Sequence, residues 1–143
     1  GLYESSSAII ESRLAPDLSL VLGDATQLRQ IIHNLLRNAE DALEGREGTR
    51  ILIQTEMAGR QAKLTIADNG PGFPVELLPR IFEPYVTTKA RGTGLGLPIV
   101  KKIVEEHQGT IEISNAPEGG ARIEIRLPLV KAEEAKNGNH SGR

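Results

Sequence analysis

The chain has 143 residues, 38% of them apolar and 25% charged, with a net charge of −2, which suits one globular domain with a core of its own. No basic excess is present to hold nucleic acid or an anionic membrane. Cysteine is absent, which excludes a disulfide framework and a thiolate metal site.

The opening GLYESSSAIIESRL lacks the layout of a signal peptide. No apolar run approaches the ~20 residues of a membrane span, so any membrane attachment is expected outside this chain. Ser6 to Leu14 reads as a strand, and Leu18 to Leu22 as a second beyond Ala15-Pro16-Asp17. A long helix is predicted from about Ala25 to Leu43, with Asp24 as N-cap and Gln27 as its capping-box partner. Gly45 and Gly48 stop it. Arg50 to Met57 and Arg60 to Asp68 alternate apolar and polar residues and read as a hairpin turning at Ala58-Gly59. Asp68-Asn69-Gly70-Pro71-Gly72 is a turn. A short helix is predicted over Val75 to Ile81, a loop over Glu83 to Thr93, and a helix over about Leu95 to His107. Thr110 to Ser114 and Ala121 to Leu127 close the chain as a hairpin. Residues 1–130 are expected to form the domain, and the polar tail 131–143 to be disordered. The fold class expected is α+β: helices covering one face of a mostly antiparallel sheet.

On a helical wheel, Leu28, Ile31, Ile32, Leu35, Leu36, Ala39, Ala42 and Leu43 share one arc, the core stripe. Arg29, His33, Arg37 and Glu40 lie opposite. Asn34, Asn38 and Asp41 form a third stripe at the border, within roughly 60° of one another. Asparagine is a mediocre helix former, so a stripe of this kind either faces a cavity or is an ordinary polar border. Amide and carboxylate oxygens are hard ligands of the type Mg²⁺ takes beside phosphate oxygens and water.

Asp68 ends a strand and opens into a glycine-rich turn. Its carboxylate can accept a hydrogen bond from an exocyclic amine of adenine, guanine or another base, or it can simply close an Asx-turn. Gly70 and Gly72 would let the backbone approach a flat ring. The run Gly92-Thr93-Gly94-Leu95-Gly96-Leu97 just before a helix is not a P-loop and lacks the dinucleotide-fold spacing. Its place at a helix start suits a phosphate site; a flexible loop is the alternative.

In order, these segments resemble the ATP-binding catalytic domain of sensor histidine kinases, within the wider gyrase, Hsp90, histidine kinase and MutL ATPase family. Asn34-Leu-Leu-Arg-Asn38-Ala-Glu-Asp41-Ala resembles the N box, Asp68-Asn-Gly70-Pro-Gly72 the G1 box, and Ile81-Phe82-Glu83-Pro84-Tyr85 the F box. Gly92 to Leu97 resembles the G2 box, and Gly119-Gly120-Ala121 the last, weaker glycine box. The wording Phe82 to Lys89 looks most like nitrogen-regulation-type kinases.

The resemblance implies a Bergerat-type two-layer sandwich with ATP and Mg²⁺ between the helices and a mobile lid. By matching position, Asn38 would hold Mg²⁺ with Asn34 assisting, and Asp41 completes that stripe. Asp68 would accept from the adenine amine, with Gly70, Gly72 and Phe73 lining the base pocket. Thr93, Gly94, Leu95, Gly96 and Leu97 would offer N–H groups to the phosphates. Lys89 or Arg91 would meet the terminal phosphate.

Gyrase-like members of that family place a glutamate one turn before the Mg²⁺ asparagine, as the base for water. Here Asn34 stands in that place, and an amide takes no proton at neutral pH. Poor hydrolysis is therefore expected, with the γ-phosphate kept for a histidine on a dimerisation domain. His33, His107 and His140 do not resemble such an acceptor. The implied partners are that phosphoacceptor domain and, indirectly, a response regulator, with no nucleic acid and no membrane contact. The fragment is expected to be monomeric and cytoplasmic, as itself or as the inner part of a membrane-anchored sensor. An anti-sigma-factor-type serine kinase of the same fold is the alternative.

Overall fold

The computed structural model describes residues 9–13, 25–86 and 96–128. The predicted strand at Leu18 to Leu22, the cap at Asp24 and the tail 131–143 lie outside them. The chain runs β1 (Ile9–Arg13), α1 (Ala25–Leu43), β2 (Arg50–Ala58), β3 (Gln61–Asp68), a 3₁₀ helix (Val75–Arg80), α2 (Gly96–Glu106), β4 (Thr110–Asn115) and β5 (Ala121–Pro128).

The five strands form one sheet in the order β1-β2-β3-β5-β4. β1 joins β2 in parallel, with Ile10 opposite Ile51, and the other pairings are antiparallel. Register decides which face is apolar. Ile53 faces Ile66, Ile66 faces Ile123, and Leu64 faces Ile125, so the alternate residues of three strands point to one side. Both helices cover that side. Ile31, Leu35, Ala39 and Leu43 of α1 and Val100, Ile103 and Val104 of α2 are buried in one cluster with Ile51, Ile66, Ile123, Ile125 and Leu127. The expected α+β architecture is the one observed.

The other face carries charge. Lys63 Nζ lies 2.9 Å from Glu124 and 3.5 Å from Glu56, and Arg122 Nε lies 3.4 Å from Glu124. The hydrogen bond to Lys63 holds the Glu124 carboxyl below its ordinary range, and the same bond raises Lys63. These bridges occupy the solvent side of a sheet that is half-covered.

Element ends follow local chemistry. Gly45 takes φ +78° and ends α1, with the Arg46 N–H bonded to the Leu43 carbonyl at 3.1 Å. Four expectations need correcting. The predicted short helix at Val75 to Ile81 is a single 3₁₀ segment with Pro79 inside it; a proline has no N–H for an α-helical ladder. Ile32 was placed on the core stripe but is 37% exposed, although Ala39 and Leu43, which flank it on the wheel, are buried. Glu40 was placed on the solvated face and is half-buried, whereas Asp41 was placed on the border and is exposed.

Candidate functional site

Asn34 and Asn38 both stand half-buried on α1, one turn apart. The Asn34 side chain makes no hydrogen bond to another described residue, which leaves its amide to a ligand. Ala42, one turn beyond Asn38, leads this row to the Asp68 turn. A β-carbon built on Gly70 would lie 3.4 Å from the Ala42 carbonyl oxygen, 3.2 Å from Leu43 and 3.1 Å from Asp68 Oδ1. The turn that follows β3 therefore abuts the last turn of α1, in line with the two amides. A side chain at Gly70 would press on the Asp68 carboxylate and the Leu43 side chain, which would have to give by a few tenths of an ångström.

Asp68 is held, and its hold explains how it can also bind. Its Oδ1 accepts the Gly70 N–H at 2.8 Å and the Ala121 N–H at 3.3 Å. The Asx-turn considered as an alternative is therefore present. It engages one oxygen and leaves Oδ2 without a hydrogen bond among the described residues. A carboxylate pinned at one oxygen presents the other in a fixed direction, as recognition of an amine requires.

The neighbouring residues fix the turn. Asn69 Oδ1 accepts the Arg50 N–H at 2.7 Å, and its Nδ2 donates to the Gly48 carbonyl at 2.8 Å. Gly72 has φ +78°, and a β-carbon there would fall 2.7 Å from Asn115 Oδ1. Phe73 packs against the core cluster, as does Leu97 in the first turn of α2. A β-carbon on Gly120, at φ +92°, would collide with the Asp68 carbonyl oxygen. The weakly matched last glycine box thus gains a physical role: it lets the β4–β5 turn pass under Asp68.

The start of α2 lies on the same side of the sheet as the Asn row, because α1 and α2 share one core. Lys101 Nζ sits 4.9 Å from the centre of the Phe82 ring, a cation–π contact. It ties Phe82, two residues past the 3₁₀ segment, to α2. Tyr85, with φ +68°, is 76% exposed. Lys89, Arg91, Thr93, Gly94 and Leu95 lie outside the described residues. Gly96 and Leu97 open α2, and a β-carbon on Gly96 would meet nothing within 4 Å. Among the described residues, packing does not call for glycine there.

Sequence reasoning missed Asn115, whose side chain bonds the Phe73 backbone across a separation of 42 residues. No local pattern could have signalled it.

The described residues hold no cluster of three or more His, Asp or Glu able to bind a metal. The amides of Asn34 and Asn38 are of a kind that suits a hard cation carrying most of its ligands as water and phosphate. No helix among the described residues is long and apolar enough to cross a membrane.

Residues 23–131 match the model of the histidine kinase-, DNA gyrase B- and HSP90-like ATPases. The chain belongs to this ATPase family. Among curated proteins, it is 47% identical over 106 residues to a putative sensor histidine kinase NtrY-like of Rickettsia bellii, covering 74% of this chain and 17% of the relative. It is 45% identical over 119 residues to the nitrogen regulation protein NtrY of Azorhizobium caulinodans, covering 79% and 15%. It is 39% identical over 129 residues to the sensory histidine kinase/phosphatase NtrB of Rhodobacter capsulatus, covering 82% and 36%. The chain thus spans about a sixth to a third of these curated relatives.

Solved structures agree. The mycobacterial sensor histidine kinase MprB superposes with a TM-score of 0.78 at 29% identity, covering 89% of this chain and 87% of that one. The catalytic domain of histidine kinase ThkA gives 0.75 at 30% identity, covering 90% and 83%. Full-length ShkA in complex with AMPPNP gives 0.77 at 28% identity, covering 90% and 27%. The resemblance to sensor histidine kinases is borne out, including the likeness to nitrogen-regulation-type kinases. As a member of this ATPase family, the domain is an ATP-using one with the Bergerat fold.

Proposed function

We propose that this domain binds ATP with Mg²⁺ beside the Asn34–Asn38 row of α1, the Asp68 turn and the start of α2, and donates the γ-phosphate to a histidine on a dimerisation domain of its parent kinase. The observation that carries the reading is the half-engaged Asp68, with Oδ1 locked by two backbone N–H groups and Oδ2 left for an adenine amine. The sensor-kinase names of the curated relatives support the same reading and give none to the serine-kinase alternative.

In this reading Asn38 and Asn34 hold Mg²⁺, with Asp41 at the outer margin of the stripe, and Gly70, Gly72 and Phe73 line the base slot. Gly96 and Leu97, with Thr93, Gly94 and Leu95, offer backbone N–H groups to the phosphates, and Lys89 or Arg91 neutralises the terminal one. Bound Mg²⁺ supplies charge neutralisation on the phosphate oxygens. The protein's part is orientation: the transferred phosphoryl must lie in line with its acceptor nitrogen, and little covalent chemistry is asked of the side chains. In transfer, the bond from the γ-phosphorus to the bridging oxygen breaks and a phosphorus–nitrogen bond forms, leaving ADP. Asn34 cannot act as a base, so water is a poor competitor. The acceptor domain and a response regulator are the partners, and the working compartment is the cytoplasm.

Calorimetry of this fragment with ATP, with and without Mg²⁺, tests the reading. Binding that is enhanced by Mg²⁺ and accompanied by little hydrolysis is expected. Rapid hydrolysis, or no binding in either condition, would refute it.

A further inference from the structure

The turn that carries Asp68 is tied down at both ends by one strand pair. At its start, Asp68 Oδ1 accepts the N–H of Ala121, the first residue of β5. At its far end, Asn115, the last residue of β4, takes hold of Phe73 with both ends of its amide. Oδ1 accepts the Phe73 N–H at 2.7 Å and Nδ2 donates to the Phe73 carbonyl at 2.8 Å. Asn115 and Ala121 are Cα partners across the hairpin, so both anchors spring from one rung. The rung is itself closed by the turn behind it, where Ala116 N–H bonds the Gly120 carbonyl and Gly119 N–H bonds the Ala116 carbonyl, both at 2.9 Å.

The side chain of Asn115 imitates an extra strand residue: it pairs with a peptide unit as backbone would, and it is half-buried. Gly72 makes room for it, because a β-carbon there would fall 2.7 Å from the Asn115 oxygen. Phe73 is thereby fixed in two ways, with its ring against the core and its peptide on Asn115. The span between Asp68 and Phe73 has its ends clamped, and Gly70 and Gly72 lie between the clamps.

We infer that Asn115 is a positioning residue for base recognition: its amide sets where Phe73 and Gly72 stand relative to the Asp68 carboxylate, and so fixes the width and angle of the slot for the purine. This rests on the reading above that the slot takes adenine. Asn115 touches no reacting atom and acts through the Phe73 backbone. With the clamp released, Asp68 keeps its Ala121 anchor but the opposite wall can drift. Affinity then falls on the base side, and discrimination between an amine and a carbonyl at the purine edge narrows.

The test measures binding of ATP, ADP and GTP, each with Mg²⁺, by calorimetry on the chain and its variants, with thermal melting alongside. Asn115→Ala is expected to weaken ATP and ADP by the same factor, about tenfold, the worth of one or two well-formed hydrogen bonds. Its preference for ATP over GTP should shrink toward unity. Asn115→Asp, of equal size, turns the donor into an acceptor facing the Phe73 carbonyl. It should narrow the same preference, and it carries the comparison if the alanine variant does not fold. A merely structural role would lower the melting temperature and leave the ATP-to-GTP ratio unchanged at temperatures where the variant is folded; that result overturns the inference. Asp68→Asn, measured in parallel, separates the two levels. If it binds ATP normally, the slot reading fails; if it loses ATP while the Asn115 variants keep native affinity and preference, only the role of Asn115 fails.

Discussion

Asp68 Oδ1 accepts the backbone N–H of Ala121 at 3.3 Å across 53 residues of sequence. One oxygen of the carboxylate thus serves the fold and the other is left to serve a ligand. The two duties can be separated by a single change of atom.

Asp68→Asn keeps an oxygen for the Gly70 and Ala121 N–H groups and replaces the outward oxygen with an amide nitrogen. A donor then faces the purine amine, which is itself a donor. We expect a melting temperature close to native and an ATP affinity at least about tenfold weaker, by the cost of an unmatched polar contact. Calorimetry and thermal melting on the same preparation check both halves.

Asn38→Ala removes one amide from the row on α1 and substitutes the best helix former. The Mg²⁺-dependent part of ATP affinity should vanish, while binding in the presence of a chelator should be nearly that of the native chain. Loss of both components alike would mean that Asn38 contacts the nucleotide and not the cation.

Gly119 and Gly120 separate backbone strain from collision. Both have positive φ, +110° and +92°, but a β-carbon on Gly119 meets nothing within 4 Å, whereas one on Gly120 runs into the Asp68 carbonyl. Gly119→Ala should cost on the order of 1 kcal/mol for the backbone conformation alone. Gly120→Ala should cost clearly more and also displace Asp68, so denaturant unfolding and ATP titration should both show it.

The end of α2 offers a stabilising change. Gln108 takes φ +60°, a conformation that glycine adopts without steric cost. The adjacent Gly109 is needed for a different reason: a β-carbon there would strike the Arg126 carbonyl of β5. Gln108→Gly should raise stability by up to about 1 kcal/mol, and Gly109→Ala should lower it by more than that. Equal effects of one sign would contradict this division of roles.

The pair Lys63 and Glu124 sets a pH dependence at both extremes. Glu124 is lowered from 4.5 by its hydrogen bond to Lys63. Its contribution is complete above pH 4.5 and is lost as pH falls through the folded value. Lys63 is raised from 10.5 by the same bond, so its contribution is complete below pH 10.5 and is lost as pH rises through the folded value. Lys63→Met should cost under about 1 kcal/mol near neutrality. The stability difference from the native chain should shrink at both ends, as followed by urea unfolding across pH.

Much of this was legible in the sequence. The range Ala25 to Leu43 was read at both ends, because Gly45 breaks an unbroken 3.6-residue period. The strand pairs were read because their alternation has one dry face. The row of Asn34 and Asn38 was visible as mediocre helix formers in a place where packing did not ask for them. What escaped has a common cause. The burial of Ile32, Glu40 and Asp41 depends on which neighbours cover α1, which a wheel does not contain. Asn115 holds Phe73 through a contact that exists only after the hairpin and the turn have met. The end of α2 near His107 was read, but not that Gln108 beyond it takes the left-handed conformation.

The parallel seam between β1 and β2 has a consequence for how the molecule assembles and comes apart. The β2–β3 and β4–β5 hairpins close over short stretches of chain, whereas Ile10 finds Ile51 only across a 41-residue excursion that contains α1. Closing so long a loop is entropically dearer, and β1 hangs on the sheet by a single neighbour. It should zip on last and peel off first, so pulling on the leading end would strip one strand while the purine slot, two strands inward, stayed whole.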